Sequence, residues 1–224
     1  MKIPKYLSDH VQNNFRAVSE HVLKNTLFDK KVDSDKNIMI VSGFSGSGKD
    51  TLIEQILNIS GNFGKVKTVT TRAIRPEESV TDDPYIRVSR ESMAQLLSSD
   101  DVVESVAYAG EYYCTTKSEI QKVVEAGKMP ILRIDPKGAS YYNSSNNPFL
   151  TQFIFTSFFV VTESIEELKQ RLLARGSNEE LIEKRMAQLQ LDLSYVSESH
   201  YLVVNTSGDS KLVASEMVDL IRMS

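Results

Sequence analysis

The run Gly43-Phe44-Ser45-Gly46-Ser47-Gly48-Lys49-Asp50-Thr51 has the residue types and the spacing of a phosphate cradle. Its glycines let backbone N–H groups turn inward around phosphate oxygens, and a helix beginning behind them adds partial positive charge. Lys49 then reaches the outer phosphates as a point charge. The expected triphosphate contacts are Gly43, Ser45, Gly46, Ser47, Gly48, Lys49, Asp50 and Thr51. One position departs from the pattern. The residue after the lysine is usually Ser or Thr, whose hydroxyl binds Mg²⁺, and here it is Asp50, with Thr51 next. A carboxylate beside a triphosphate repels it unless a cation lies between them. The sequence therefore predicts a Mg²⁺ site at Asp50, directly or through water, or at Thr51 instead.

Such a loop needs a strand before it and a helix after it. The apolar run Ile38-Met39-Ile40-Val41 supplies the first and the amphipathic segment 50–58 the second. From Asn37 onward, strand patterns at 38–42, 65–69, 129–134, 153–161 and 201–204 alternate with helical patterns at 50–58, 118–126, 164–174, 178–193 and 210–223. That alternation predicts an α/β fold with a parallel sheet covered by helices on both faces. Between Thr70 and Thr116 the rhythm breaks into short strands at 85–88, 102–108 and 111–113 around a short helix at 91–97. An inserted small subdomain is expected there. Residues 1–36 form a polar prelude in which Val11, Phe15, Val18 and Val22 recur at three- and four-residue spacing. That spacing predicts a helical extension whose apolar stripe is covered by the core or by a second copy of the chain.

Composition bounds the partners. The 224 residues suit one domain with insertions, or one domain plus an extension. With 26 basic and 30 acidic residues, the net charge of −4 gives no support for a nucleic-acid or membrane partner. His10, His21 and His200 lack metal-ligand spacing. The lone Cys114 excludes an internal disulfide and fits a reducing cytoplasm. No signal-peptide pattern opens the sequence, and the longest apolar stretch, 153–161, is too short to span a bilayer and reads as a buried strand.

Two further signatures lie in the irregular stretch: Thr70-Thr71-Arg72-Ala73-Ile74-Arg75-Pro76-Glu77-Glu78, and Gly110-Glu111-Tyr112-Tyr113-Cys114-Thr115. With the phosphate loop, and in this order, they resemble the guanylate kinase family from Ile38 to the C-terminus. The resemblance implies a P-loop kinase: a parallel sheet core over 37–224, an acceptor-binding insertion at 70–116 and a helical lid at 171–190. It implies transfer of the γ-phosphoryl group of ATP to GMP or dGMP, with Mg²⁺ as cofactor. Arg72 and Arg75 would clamp the acceptor phosphate with two planar forks, and Tyr85 and Tyr113 would add hydroxyls. Glu104 would read guanine by accepting from its N1–H and amino groups. Thr68 and Thr115 would reach the base, and Glu78 and Asp135 would complete the pocket. Arg171, Arg175 and Arg185 would close over the transferring group, and Asn205 would line the ATP site.

The sequence departs from the family at three places. Asp50 replaces a hydroxyl, Glu77 stands at a glycine position, and Arg133-Ile134-Asp135-Pro136-Lys137-Gly138 replaces acid-x-acid-x-Gln-Gly. Two readings stay open beside the first. A Gly-Lys-Asp loop also resembles ribose 1,5-bisphosphate phosphokinases, and the chain could be an inactive, protein-binding relative. Intact Gly43, Gly46, Gly48 and Lys49 argue against the inactive module, and Arg72, Arg75, Glu104 and Thr115 against the sugar-phosphate kinase.

Overall fold

A computed structural model describes residues 3–7, 15–25, 37–74, 83–108, 110–144 and 147–223. After a 3-10 turn at Lys5–Leu7 come β1 (Phe15–Ala17) and β2 (Val22–Asn25). β3 (Asn37–Gly43) leads through the glycine loop into α1 (Lys49–Ile59). There follow β4 (Phe63–Lys65), β5 (Thr68–Thr70), β6 (Tyr85–Arg87), α2 (Arg90–Leu97), β7 (Val102–Tyr108) and β8 (Glu111–Thr116). The rest is α3 (Lys117–Glu125), β9 (Met129–Arg133), α4 (Pro136–Ser144), β10 (Ile154–Val161), α5 (Ile165–Ala174), α6 (Glu179–Asp192), β11 (Tyr201–Val204) and α7 (Ser210–Met223).

The main sheet has the order β1-β2-β11-β10-β3-β9-β4, and its five strands from β11 to β4 are parallel. β3 lies inside it because neither of its faces is polar. Met39 and Val41 point to one core with Leu52, Ile53 and Ile56 of α1, while Ile38 and Ile40 point to another with Ile120 and Leu132. Such two-sided burial explains the continuous apolar run. Successive connections leave β3 toward β4 and β9 and later return to β10 on its other side, so the loop after β3 opens at the switch point where α/β sheets bind ligands. The second sheet, β6-β5-β8-β7, carries α2 on one face, where Val69, Met93 and Cys114 make a small core.

Three expectations change. The prelude is no helix in its described part: Phe15 and Val22 lie in two antiparallel strands, and β2 adds to the free edge of β11 with Val22 opposite Val203. Three- and four-residue spacing over so short a segment fits either state, and the open sheet edge decides it. Of the stripe, Phe15 and Val22 are buried by the chain itself and Val18 is at the surface; Val11 lies outside the described residues. The strand expected at 65–69 is two strands in different sheets, divided at Val66 and Lys67. Finally, α4 is not among the helices expected from the sequence. Proline suits the first turn of a helix, and the Asp135 carboxylate accepts from the Gly138 N–H at 3.0 Å to cap it.

Candidate active site

Most helices in this chain begin on a side chain. Ser89, Thr116, Ser164 and Asn178 each accept a backbone N–H at the start of α2, α3, α5 and α6. α1 does not: Gly48 precedes it in the left-handed region (φ 94°) with no side-chain cap. Its first N–H groups are thus left to the loop, as an anion would require. A side chain at Gly48 is excluded twice, by that φ and by the Asn205 amide, 2.2 Å from where a Cβ would stand. Gly43 is pressed against β10, so its Cβ would lie 2.1 Å from the Val160 carbonyl oxygen.

Lys49 folds back under the loop and donates to the carbonyl oxygens of Gly43 and Phe44, each at 2.7 Å. Burial, with Arg133 nearby, lowers its pKa to about 7. Asp50 and Asp192 act the other way, and Arg175 is close enough to be felt. Asn205 and Arg171 stand behind the cradle. The Asn205 amide donates to the Ser47 carbonyl at 2.8 Å, and Arg171 donates to the same oxygen at 3.0 Å. Arg171 is further bonded to Glu167 (2.7 Å) and to the Asn205 carbonyl (2.6 Å). Its guanidinium therefore shapes the loop. Arg175 is exposed after α5, and Arg185 is half-buried on α6. Ser45 is exposed and Ser47 buried, while Thr51 is half-buried in the first turn of α1.

The second sheet builds the other half. Glu104 pairs with Thr115, Thr70 with Tyr113, and Thr68 with Tyr85. Paired residues share a face and neighbours alternate, so Thr68, Tyr85, Glu104, Tyr113 and Thr115 lie on one side, with Val69 and Cys114 on the α2 side. The Cys114 thiol is fully buried against Met93 sulfur (3.8 Å), and burial pushes its pKa up to about 12. On the open side the Tyr85 and Tyr113 rings stand 6.2 Å apart. Thr115 donates to Glu104 at 2.9 Å, and burial, with Asp135 nearby, pushes the Glu104 carboxyl up to about 7. Gly138 makes this proximity feasible: a Cβ there would meet Asp135 at 3.2 Å and Glu104 at 3.5 Å. Arg72 lies over the Tyr85 ring, 5.1 Å from its centroid. Arg75 and Glu78 fall outside the described residues.

Sequence reasoning missed four participants: Arg133, Arg87, Glu167 and Asp192. Arg133, at the end of β9 and beside Val41 of β3, pairs with Asp50 at 2.8 Å and donates to the Tyr85 hydroxyl. Its presence as a departure from the family pattern is the signal that could have marked it. Arg87 also faces Tyr85 and is held by Asp83 at 2.6 Å. Asp192 closes α6 near Lys49, and its carboxyl is pushed up by burial.

An uncapped helix start suited to an anion, set beside a cation-rich sheet with one buried carboxylate, has the layout of a P-loop phosphotransferase that takes a second, anionic substrate. Comparison with known proteins places the chain more narrowly. The family model "Guanylate kinase" matches residues 35–218. The guanylate kinase of Desulfitobacterium hafniense is 35% identical over 169 residues, covering 75% of this chain and 81% of that one. That of Trichormus variabilis is 30% identical over 196 residues, covering 87% and 95%. The crystal structure of guanylate kinase from Anaplasma phagocytophilum superimposes with a TM-score of 0.64 at 23% identity, over 86% of this chain and 88% of that one, and so supports the fold. The chain belongs to the guanylate kinase family.

Proposed function

We propose that the chain transfers the γ-phosphoryl group of ATP to GMP, giving ADP and GDP. The observation that carries this is the Glu104–Thr115 pair, a buried carboxylate with its own hydroxyl donor on the face that also holds Tyr85 and Tyr113. A carboxylate there accepts from guanine N1–H and the amino group together, which adenine cannot match. A sugar-phosphate acceptor needs no such group, and an inactive binding module would have no use for an uncapped loop with its lysine in place.

The residues act by position and charge. The loop N–H groups and Lys49 hold the triphosphate, and Asn205 with Arg171 keeps the loop in shape. Arg72, Tyr85 and Tyr113 hold the acceptor phosphate, joined by Arg75, while Thr68, Glu78 and Asp135 complete the pocket. Arg175 and Arg185 approach the transferring group when the lid at 171–190 closes, and exclusion of water then suppresses simple ATP hydrolysis. The family implies Mg²⁺, which supplies charge neutralisation on the phosphates. Of the two side chains expected to hold it, Asp50 fits poorly, since its carboxylate already faces Arg133 at 2.8 Å and Lys65 at 3.9 Å.

No described helix is long and apolar enough to cross a membrane, and a cytoplasmic site of action accords with the lone buried thiol. The test is a coupled ADP-release assay against GMP, dGMP, AMP, UMP and ribose 1,5-bisphosphate. GMP or dGMP should be the best acceptor; preference for ribose 1,5-bisphosphate would replace this reading.

A further inference from the structure

Two departures from the family pattern meet in space. Asp50 stands where the family has a hydroxyl and Arg133 where it has an acid, and the two side chains form an ion pair at 2.8 Å. The carboxylate has in effect moved from the end of β9 to the first turn of α1, where the helix N-terminus favours a negative charge. A guanidinium has taken its former place. The Arg133 side chain is 25% exposed, less than Asp50 at 40%. The pair is imperfect as a hydrogen bond, because Nε of Arg133 has no well-aligned acceptor. From this seat Arg133 spans two substrate halves. It ends the strand next to the phosphate-loop strand, with Val41 opposite it, and its Nη1 donates to the Tyr85 hydroxyl of the second sheet.

The surroundings point to an anion. Arg72, Arg87 and Arg133 lie 5.1, 5.2 and 5.5 Å from the centroid of the one Tyr85 ring. Asp83 answers Arg87 and Asp50 answers Arg133. Three guanidiniums gathered on one phenol repel one another, and a phosphate among them would relieve that repulsion with bidentate bonds. No described residue accepts a hydrogen bond from the second Nη of Arg133.

We propose that Arg133 is an additional phosphate-contacting residue at the seam between the loop and the acceptor sheet, and that Asp50 is its positioning counter-ion in place of a metal ligand. The proposal deepens the GMP reading and rests on it. Arg133 supplies a fixed positive charge where its relatives place a carboxylate, and Asp50 keeps that charge aimed at Tyr85 and the phosphate.

The test is calorimetric binding of GMP and of guanosine to the full chain without ATP or metal, with turnover titrated against Mg²⁺ in parallel. Arg133→Gln should weaken GMP binding by roughly tenfold or more, as expected for a lost charge-assisted contact, and leave guanosine binding within about twofold. Arg133→Lys should fall between, keeping the charge but losing the fork. Asp50→Asn should weaken GMP binding to a smaller degree without raising the Mg²⁺ needed for half-maximal turnover. Equal weakening of GMP and guanosine by Arg133→Gln would assign the residue a purely structural role and overturn the proposal. So would unchanged GMP binding, or an Asp50→Asn chain that needs more Mg²⁺ while binding GMP normally. Should Arg133→Gln fail to fold, Arg133→Lys and Asp50→Asn carry the same decision. Failure of the GMP reading itself shows separately, as preference of the unmodified chain for another acceptor.

Discussion

At Glu104, burial and base recognition pull in opposite directions. Burial holds the carboxyl near pH 7, whereas guanine needs the ionised form. Below pH 7, binding must therefore expel a proton, and GMP affinity should fall toward tenfold per pH unit as the pH drops, beyond the change due to the titrating phosphate itself. Calorimetry from pH 8 to pH 6 measures this, and Glu104→Gln should remove the part that belongs to the carboxyl. The same substitution presents an amide with one donor arm, so the GMP kcat/KM should drop by roughly ten- to a hundredfold. Lys49→Ala makes a different expectation. Its ammonium bonds only loop carbonyls in the unliganded chain, so melting temperature should barely move while phosphoryl transfer falls by roughly a hundredfold or more. Near wild-type turnover in that variant would refute the kinase assignment. At this scale the sequence is readable where a motif fixes the place: Lys49 lies under the loop, Arg72 over the Tyr85 ring and Glu104 beside Thr115. It is silent on pairings such as Asp50 with Arg133, because each departure is visible alone and only the parallel register of β3 and β9 brings them together.

Elements explain what positions these side chains. The β3–loop–α1 unit is legible because an apolar run, glycines and an amphipathic helix follow one another within a few turns of chain. β8 is only partly legible: its strand pattern covers 111–113, and the structure carries it on to Thr116, so that Tyr113 and Thr115 bracket the buried Cys114. α4 is less so, since its cap comes from Asp135, a residue the family resemblance assigns to the acceptor pocket instead. The join of β10 and β11 carries a separate, titratable lock. The Ser157 N–H donates to Nδ1 of His200 at 3.2 Å, and Ser157 Oγ accepts from the His200 N–H at 3.0 Å. Burial, with Lys24 nearby, lowers the imidazole pKa from 6.5 to about 4. Between these values the unfolded chain holds more protons than the folded one, so stability is full above pH 6.5 and declines as pH falls toward 4. The loss should approach about 3 kcal/mol. Urea midpoints at pH 7 and pH 4.5 measure it, and His200→Gln should shrink the difference by a similar amount.

For the whole molecule, residues 3–7 and 15–25 belong to the fold. Leu7, Phe15, Val22 and Leu23 are buried, Tyr6 donates to the Thr162 carbonyl at 2.8 Å, and Asn25 donates to the Ser197 carbonyl at 2.8 Å. Four buried side chains at up to about 1.5–3 kcal/mol each make this segment a large share of the stability. Deleting residues 1–36 should lower the melting temperature by roughly 10 °C or more; an unchanged melt would mean the hairpin is dispensable. Tyr6 also lies 6.3 Å, ring to ring, from Phe44 in the phosphate loop, so the truncated chain should bind ATP less tightly as well as melt earlier. The hairpin has one more consequence. A parallel sheet that stopped at β11 would present a bare row of backbone donors and acceptors, and any passing chain could add itself there as a strand. Among the described residues, β2 occupies that row and the three residues of β1 lie outside it. The segment is thus a stopper against growth, and its removal should make copies of this chain zip together at the exposed border.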